Sequence, residues 1–154
     1  MIVLLALAVL MGQLHALGAA WAGAFVPDPF VCLAAFAGLY WPRRGLAGAA
    51  LALGLGRALV IMEPAGGQVL CAWGALLVLA SQREAFDRGR PATLAAAALL
   101  VAVTWTVLAW LLALISGAPV SAGLSLFTGA ALAPLLARPA HRAAAFARLN
   151  VRRS

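Results

Sequence analysis

Apolar residues run along this chain in long unbroken blocks, and the polar residues fall almost entirely between them. Six blocks predict six helices, over residues 1–24, 26–41, 46–62, 68 to 80 or beyond, 92–115 and 120–137. No polar alternation of period two interrupts these Ala-, Leu- and Gly-rich runs, which argues for helices and against a membrane β-barrel. Proline, glycine and charge mark the joints: Val26-Pro27-Asp28-Pro29, Pro42-Arg43-Arg44-Gly45, Glu63-Pro64-Ala65-Gly66-Gly67, the hydrophilic stretch 81–91, and Ser116-Gly117-Ala118-Pro119. Pro27 and Pro29 suit a first helical turn, and Asp28 suits the positive end of a helix dipole. Pro134 is expected to kink the end of the sixth block.

Most blocks approach the roughly 20 residues that cross a bilayer. The second is shorter: about 16 residues reach about 24 Å, against a hydrocarbon core of about 30 Å. It is expected either to thin the bilayer or to sit sheltered among longer helices, with a re-entrant hairpin as the lesser alternative. The first block competes with a signal peptide, since Ala22-Gly23-Ala24 resembles a cleavage site. It lacks a basic leader and is too long in its apolar part, so it reads as a retained helix.

Composition carries the same message. The 154 residues are 66% hydrophobic and 10% charged, with a mean hydropathy of +1.04. A soluble domain carries roughly 25% charged residues, so lipid must solvate most of this surface. The net charge of +7 comes from eleven arginines without a lysine. In a soluble chain such an excess points to nucleic acid. Here the arginines cluster between apolar blocks, which points instead to cytoplasmic loops and anionic lipid headgroups.

The charges also set the topology. With six spans, ten arginines fall on one side: Arg43 and Arg44; Arg83, Arg88 and Arg90; and Arg138, Arg142, Arg148, Arg152 and Arg153. The opposite side receives only Asp28 and Glu63. The positive-inside rule then places both termini in the cytoplasm. The expected architecture is an all-α polytopic membrane protein, with a six-helix transmembrane domain over 1–137 and a basic cytoplasmic tail over 138–154. Residues 143–149 could continue as a surface helix.

Candidate chemistry is sparse. Arg57 is the one arginine inside a predicted span, at a cost of at least about 2.5–3.5 kcal/mol. It could snorkel to the nearer, outer end. Asp28 and Glu63 lie at that end and are its plausible partners. An interhelical ion pair that fixes the hairpin is favoured over a ligand-binding site. His15 and Gln13 lie in the first block, where an interhelical hydrogen bond is the simpler role than proton transfer. Cys32 and Cys71 match no metal spacing and read as small packing residues. No catalytic triad, phosphate-binding loop or carboxylate pair within a span is present, so neither enzyme activity, cofactor nor metal is expected. Ala16, Ala20 and Ala24, and again Gly48, Ala52 and Gly56, recur every four residues and offer small faces for close helix approach.

The central stretch resembles the rod shape-determining protein MreD family. The resemblance rests on Pro27-Asp28 opening the second helix, on Arg43-Arg44-Gly45 closing it, on Gly54-Leu55-Gly56-Arg57-Ala58-Leu59 within the third, and on Pro64-Ala65-Gly66 opening the fourth. The basic tail fits as well. Ala58 departs from the pattern, since the family usually has aspartate there. The resemblance implies a non-enzymatic scaffold of the bacterial inner membrane, within the cell-elongation machinery that builds peptidoglycan. Its expected partners are an MreC-like protein and other membrane proteins of that machinery, with anionic lipid at the arginines. Pro27, Asp28, Arg43, Arg44, Arg57, Glu63, Pro64 and Gly66 become the candidate structural or partner-contact residues.

Substrate-binding S components of energy-coupling-factor vitamin transporters form the rival reading, being small six-helix proteins of similar arrangement. Arg57, Asp28 and Glu63 would then line a small-molecule pocket. The short outer loops, poor in hydrogen-bonding groups, speak against it.

Overall fold

A computed structural model describes residues 10, 12–14, 17–18, 27–86, 91–117, 125–131 and 133–134. These residues are helical apart from short joints, and no strand occurs among them. Four complete helices are α1 (Pro29–Tyr40), α2 (Leu46–Ile61), α3 (Ala65–Gln82) and α4 (Pro91–Ser116). Residues 125–131 form a further helical stretch. The stretches Arg43–Ile61, Ala65–Gln82 and Ala92–Ser116 are each long and apolar enough to cross a membrane. The chain therefore has the build of a helical membrane protein. The described parts of the first and sixth blocks are incomplete. The alanine face of the first block, His15 and the basic tail lie outside the described residues.

Helix α1 begins where Pro29 occupies the first helical position and Asp28 caps it, its Oδ1 accepting from the Phe30 backbone N–H at 2.9 Å. It ends at Tyr40, and Trp41 leaves the helical conformation. Its 12 residues correspond to about 18 Å, shorter still than the sequence suggests. Its sheltering is nearly complete. Phe30, Val31, Ala34, Ala35, Ala37 and Leu39 are all buried. The opposite extreme is α4, at 26 residues. Its outer face (Val103, Val107, Trp110, Leu111, Leu114 and Ile115) is exposed and wholly apolar, as suits a helix against lipid tails.

A 3-10 turn over Arg43–Gly45 links α1 to α2. Helices α2 and α3 then form an antiparallel hairpin in which the backbones pack closely at Gly54. A Cβ there would lie 2.7 Å from the Val69 backbone nitrogen. The alanine-rich core (Ala49, Ala50, Ala72, Ala75, Ala97 and Ala98) lets neighbouring helices approach in the same way. Larger side chains, Phe30, Leu53, Leu76, Leu79, Val101 and Trp105, fill the remaining space.

One boundary differs from the sequence reading. Helix α3 starts at Ala65 and takes in Gly66 and Gly67, which the block pattern leaves in a joint, whereas the family resemblance has Pro64-Ala65-Gly66 open this helix. Pro64 precedes it with φ −55°, and its carbonyl accepts from the Gly67 and Gln68 N–H groups. Proline thus sets up the first turn before any strong helix former arrives. The same helix runs on to Gln82, beyond Ala80 as the sequence allows, and takes in the first two residues of the hydrophilic stretch. Ser81 and Gln82 are exposed, and water satisfies a polar last turn without ending the helix.

Polar groups separate to opposite ends of the hairpin. Asp28, Glu63 and Gln68 gather at one end. At the other, the Arg83 guanidinium donates to the Trp41 carbonyl at 2.7 Å and the Gly38 carbonyl at 3.2 Å. This arginine closes the C-terminus of α1, where unpaired carbonyls and the negative end of the dipole favour a cation.

Candidate functional site

The side chains with chemical potential converge at the Asp28 end. Asp28 sits at the α1 N-terminus, Arg57 projects from the second-last turn of α2, Gln68 from the first turn of α3, and Trp105 from the middle of α4. Arg57 Nε donates to Asp28 Oδ2 at 2.8 Å, and both side chains are 2% exposed. Arg57 Nη1 donates to Gln68 Oε1 at 2.6 Å. The same oxygen accepts from Trp105 Nε1 at 3.1 Å. Gln68 Nε2 turns the other way and donates to Glu63 Oε2. The Trp105 ring lies beneath the guanidinium, with Arg57 Cζ 5.3 Å from its centroid, a cation–π distance.

This chemistry is self-contained. The Gln68 amide orientation follows from its neighbours, two donors on one side and a carboxylate on the other. Asp28 uses one oxygen to cap α1 and the other to neutralise Arg57. The helical stretch 125–131 also reaches this point: the Asp28 N–H donates to the Ser125 carbonyl at 2.9 Å. Cys32 Sγ donates to the Gly129 carbonyl at 3.2 Å. A Cβ on Gly129 would crowd the Asp28 backbone, lying 3.1 Å from its nitrogen. The ion pair and its amide neighbour therefore tie four helices together, and the Asp28 backbone and Cys32 add the stretch 125–131.

Of the sequence candidates, Asp28, Arg57 and Glu63 come together here, and Pro27 adjoins them in sequence. The favoured interhelical ion pair is present, between Arg57 and Asp28, and two options left open by the sequence are decided. Arg57 does not snorkel outward; the fixed carboxylate of Asp28 holds it inside, because pairing within the protein offsets the cost of burial. Glu63 is not its direct partner, since Gln68 stands between them. Arg43 and Arg44 lie exposed in the turn at the opposite end. Pro64 and Gly66 are exposed beside the network without entering it. Sequence reasoning missed Gln68 and Trp105. The signal for Gln68 was an amide in an otherwise apolar block, and intramembrane polar residues generally find partners. Nothing comparable distinguished Trp105 from the other tryptophans.

Among the described residues no group of three metal-ligating side chains occurs, and both cysteines are free and buried. Ala58 is buried beside Arg57, so a carboxylate there would enter the interior. No protein-family model, curated protein or solved structure matches the chain.

Gly66 gives the site a clean probe. It is exposed in the first turn of α3, and no atom lies within 4 Å of where a Cβ would stand. Gly66→Ala should leave stability unchanged or raise it by up to about 1 kcal/mol, since alanine favours helix over the unfolded chain. Detergent-solubilised thermal unfolding reads this directly. A clear drop in melting temperature would mean that the glycine serves the fold after all.

Proposed function

We propose that this protein is a non-enzymatic, six-span scaffold subunit of the bacterial inner membrane, serving the cell-elongation machinery that directs peptidoglycan synthesis. The observation that carries the reading is the closed network around Arg57. Its guanidinium is buried against Asp28, Gln68 and Trp105, so the most reactive polar groups are committed to holding helices rather than to a substrate. The resemblance of Pro27-Asp28, Arg43-Arg44-Gly45, Arg57 and Pro64-Ala65-Gly66 to the MreD family supplies the particular machinery. Partners would be an MreC-like protein and neighbouring membrane subunits, docked through helix faces. Both termini would lie in the cytoplasm, where the arginines meet anionic lipid.

An S component of a vitamin transporter would need Arg57, Asp28 and Glu63 free to face a ligand. Here Arg57 and Asp28 face each other. Gentle purification from the native cell, followed by mass spectrometry of accompanying proteins, tests the proposal. MreC-like and peptidoglycan-synthesis proteins are the expected company. ATPase subunits or a retained vitamin would overturn it.

A further inference from the structure

The other end of the hairpin offers a different feature. Between α2 and α3 runs an open cleft of about 90 Å³, lined by Arg43, Leu46, Ala47, Trp73, Leu76 and Leu77. Leu46 and Leu76 are buried and make its floor, while Trp73 and Leu77 stand half-exposed as walls. Ala47, the second residue of α2, is too small to fill the space between them. Arg43 is the only charged group of the lining. Its side chain is exposed and has no ion pair or hydrogen-bond partner among the described residues. Arg83, at the same end, differs in being committed to the carbonyls that close α1.

We propose that this cleft holds one anionic phospholipid of the surrounding bilayer. Its phosphate sits on the Arg43 guanidinium, and one acyl chain lies over Ala47 between Trp73 and Leu77. Charge and shape both select this occupant. A soluble anion would use the arginine and leave an apolar cleft wetted. A zwitterionic lipid would fill the cleft and place its own cation beside Arg43. An anionic lipid satisfies both ends at once, and the turn that carries Arg43 lies next to Tyr40 and Trp41, the aromatic residues expected at headgroup depth. The inference rests on the Arg43 end lying at the bilayer surface and is independent of the elongation role.

Native mass spectrometry of the delipidated full chain tests it, with phosphatidylglycerol and phosphatidylcholine of identical chains as probes. The first phosphatidylglycerol should bind in preference to phosphatidylcholine, and Arg43→Gln should weaken it about fivefold, the worth of roughly 1 kcal/mol per arginine near the surface. Phosphatidylcholine binding should not change in that variant. Ala47→Phe keeps the charge and fills the cleft, and it should weaken binding of the first lipid of either kind. Arg44→Gln should have the smaller effect, since Arg44 does not line the cleft. Unaltered melting temperatures in these surface variants keep the readout to binding. The proposal fails if Arg43→Gln retains the full preference, if Ala47→Phe binds as the parent does, or if the preference follows the tail arginines Arg148, Arg152 and Arg153 instead.

Discussion

Arg57→Met should lower the stability of the folded protein by about 3–5 kcal/mol, the cost of leaving a buried charge without its partner. Asp28 is the charge left behind. It is 2% exposed and cannot reach water without unwinding the α1 cap. Gln68 Oε1 also loses one of its two donors. Asp28→Asn should cost less, because asparagine can still cap α1, and Arg57 keeps Gln68 and the Trp105 ring. The informative variant is the double one. Asp28→Asn with Arg57→Met removes the charge on both sides, and replacing a whole buried pair is often close to neutral. The double variant should therefore be more stable than Arg57→Met alone, with a coupling energy within the roughly 0.5–3 kcal/mol seen for residues in contact. Denaturant titration in a fixed detergent measures all three. Strict additivity of the single effects would show that the pair does not act as a unit. Glu63→Ala should cost the least, since Glu63 is only partly buried and touches Arg57 through Gln68.

Gly54→Val should be the most damaging change away from the charges. A Cβ at Gly54 would meet the backbone of Val69, and backbone cannot rotate aside as a side chain can. Overpacking usually costs about 1–3 kcal/mol, occasionally more. Here the upper part of that range applies, because α2 and α3 must separate along their length. Gly74 is the control. Its added Cβ would meet the Leu108 side chain rather than main chain, and Gly74→Ala should cost distinctly less. Equal effects at the two positions would remove the argument that helix approach at Gly54 sets the hairpin. Thermal unfolding in detergent gives the comparison.

Much of this architecture is legible in the sequence because the bilayer imposes a simple rule on it. Apolar blocks mark α2, α3 and α4 within a few residues, and the prolines mark the joints. The polarity of the hairpin is legible too: Asp28 and Glu63 do lie at one end, with Arg43 and Arg83 at the other. What resists reading is geometry across helices. Block boundaries cannot say that Gly54, rather than the Gly48–Ala52–Gly56 face, approaches the Val69 backbone. Nor can they say whether Arg57 turns outward or inward. That outcome depends on a carboxylate 29 residues away in sequence, held at the right height by the shortness of α1. Gln68 was hidden for a related reason, as its value lies in two donors that come from separate helices.

The brevity of α1 bears on how the chain enters the membrane. A nascent segment of 12 apolar residues with an aspartate at its lip is a poor independent span. The next segment brings a positive charge that is costly to insert by itself. Joined by the three-residue turn, the two segments neutralise each other. Insertion machinery would therefore release them as one hairpin, after residue 57 has emerged. Truncated nascent chains would show it through crosslinking from α1: the segment stays against the insertion machinery when synthesis halts before Arg57 and passes into lipid once the second arm is complete. Early passage of α1 alone into lipid would mean that the bilayer accepts the short arm before its counter-charge arrives.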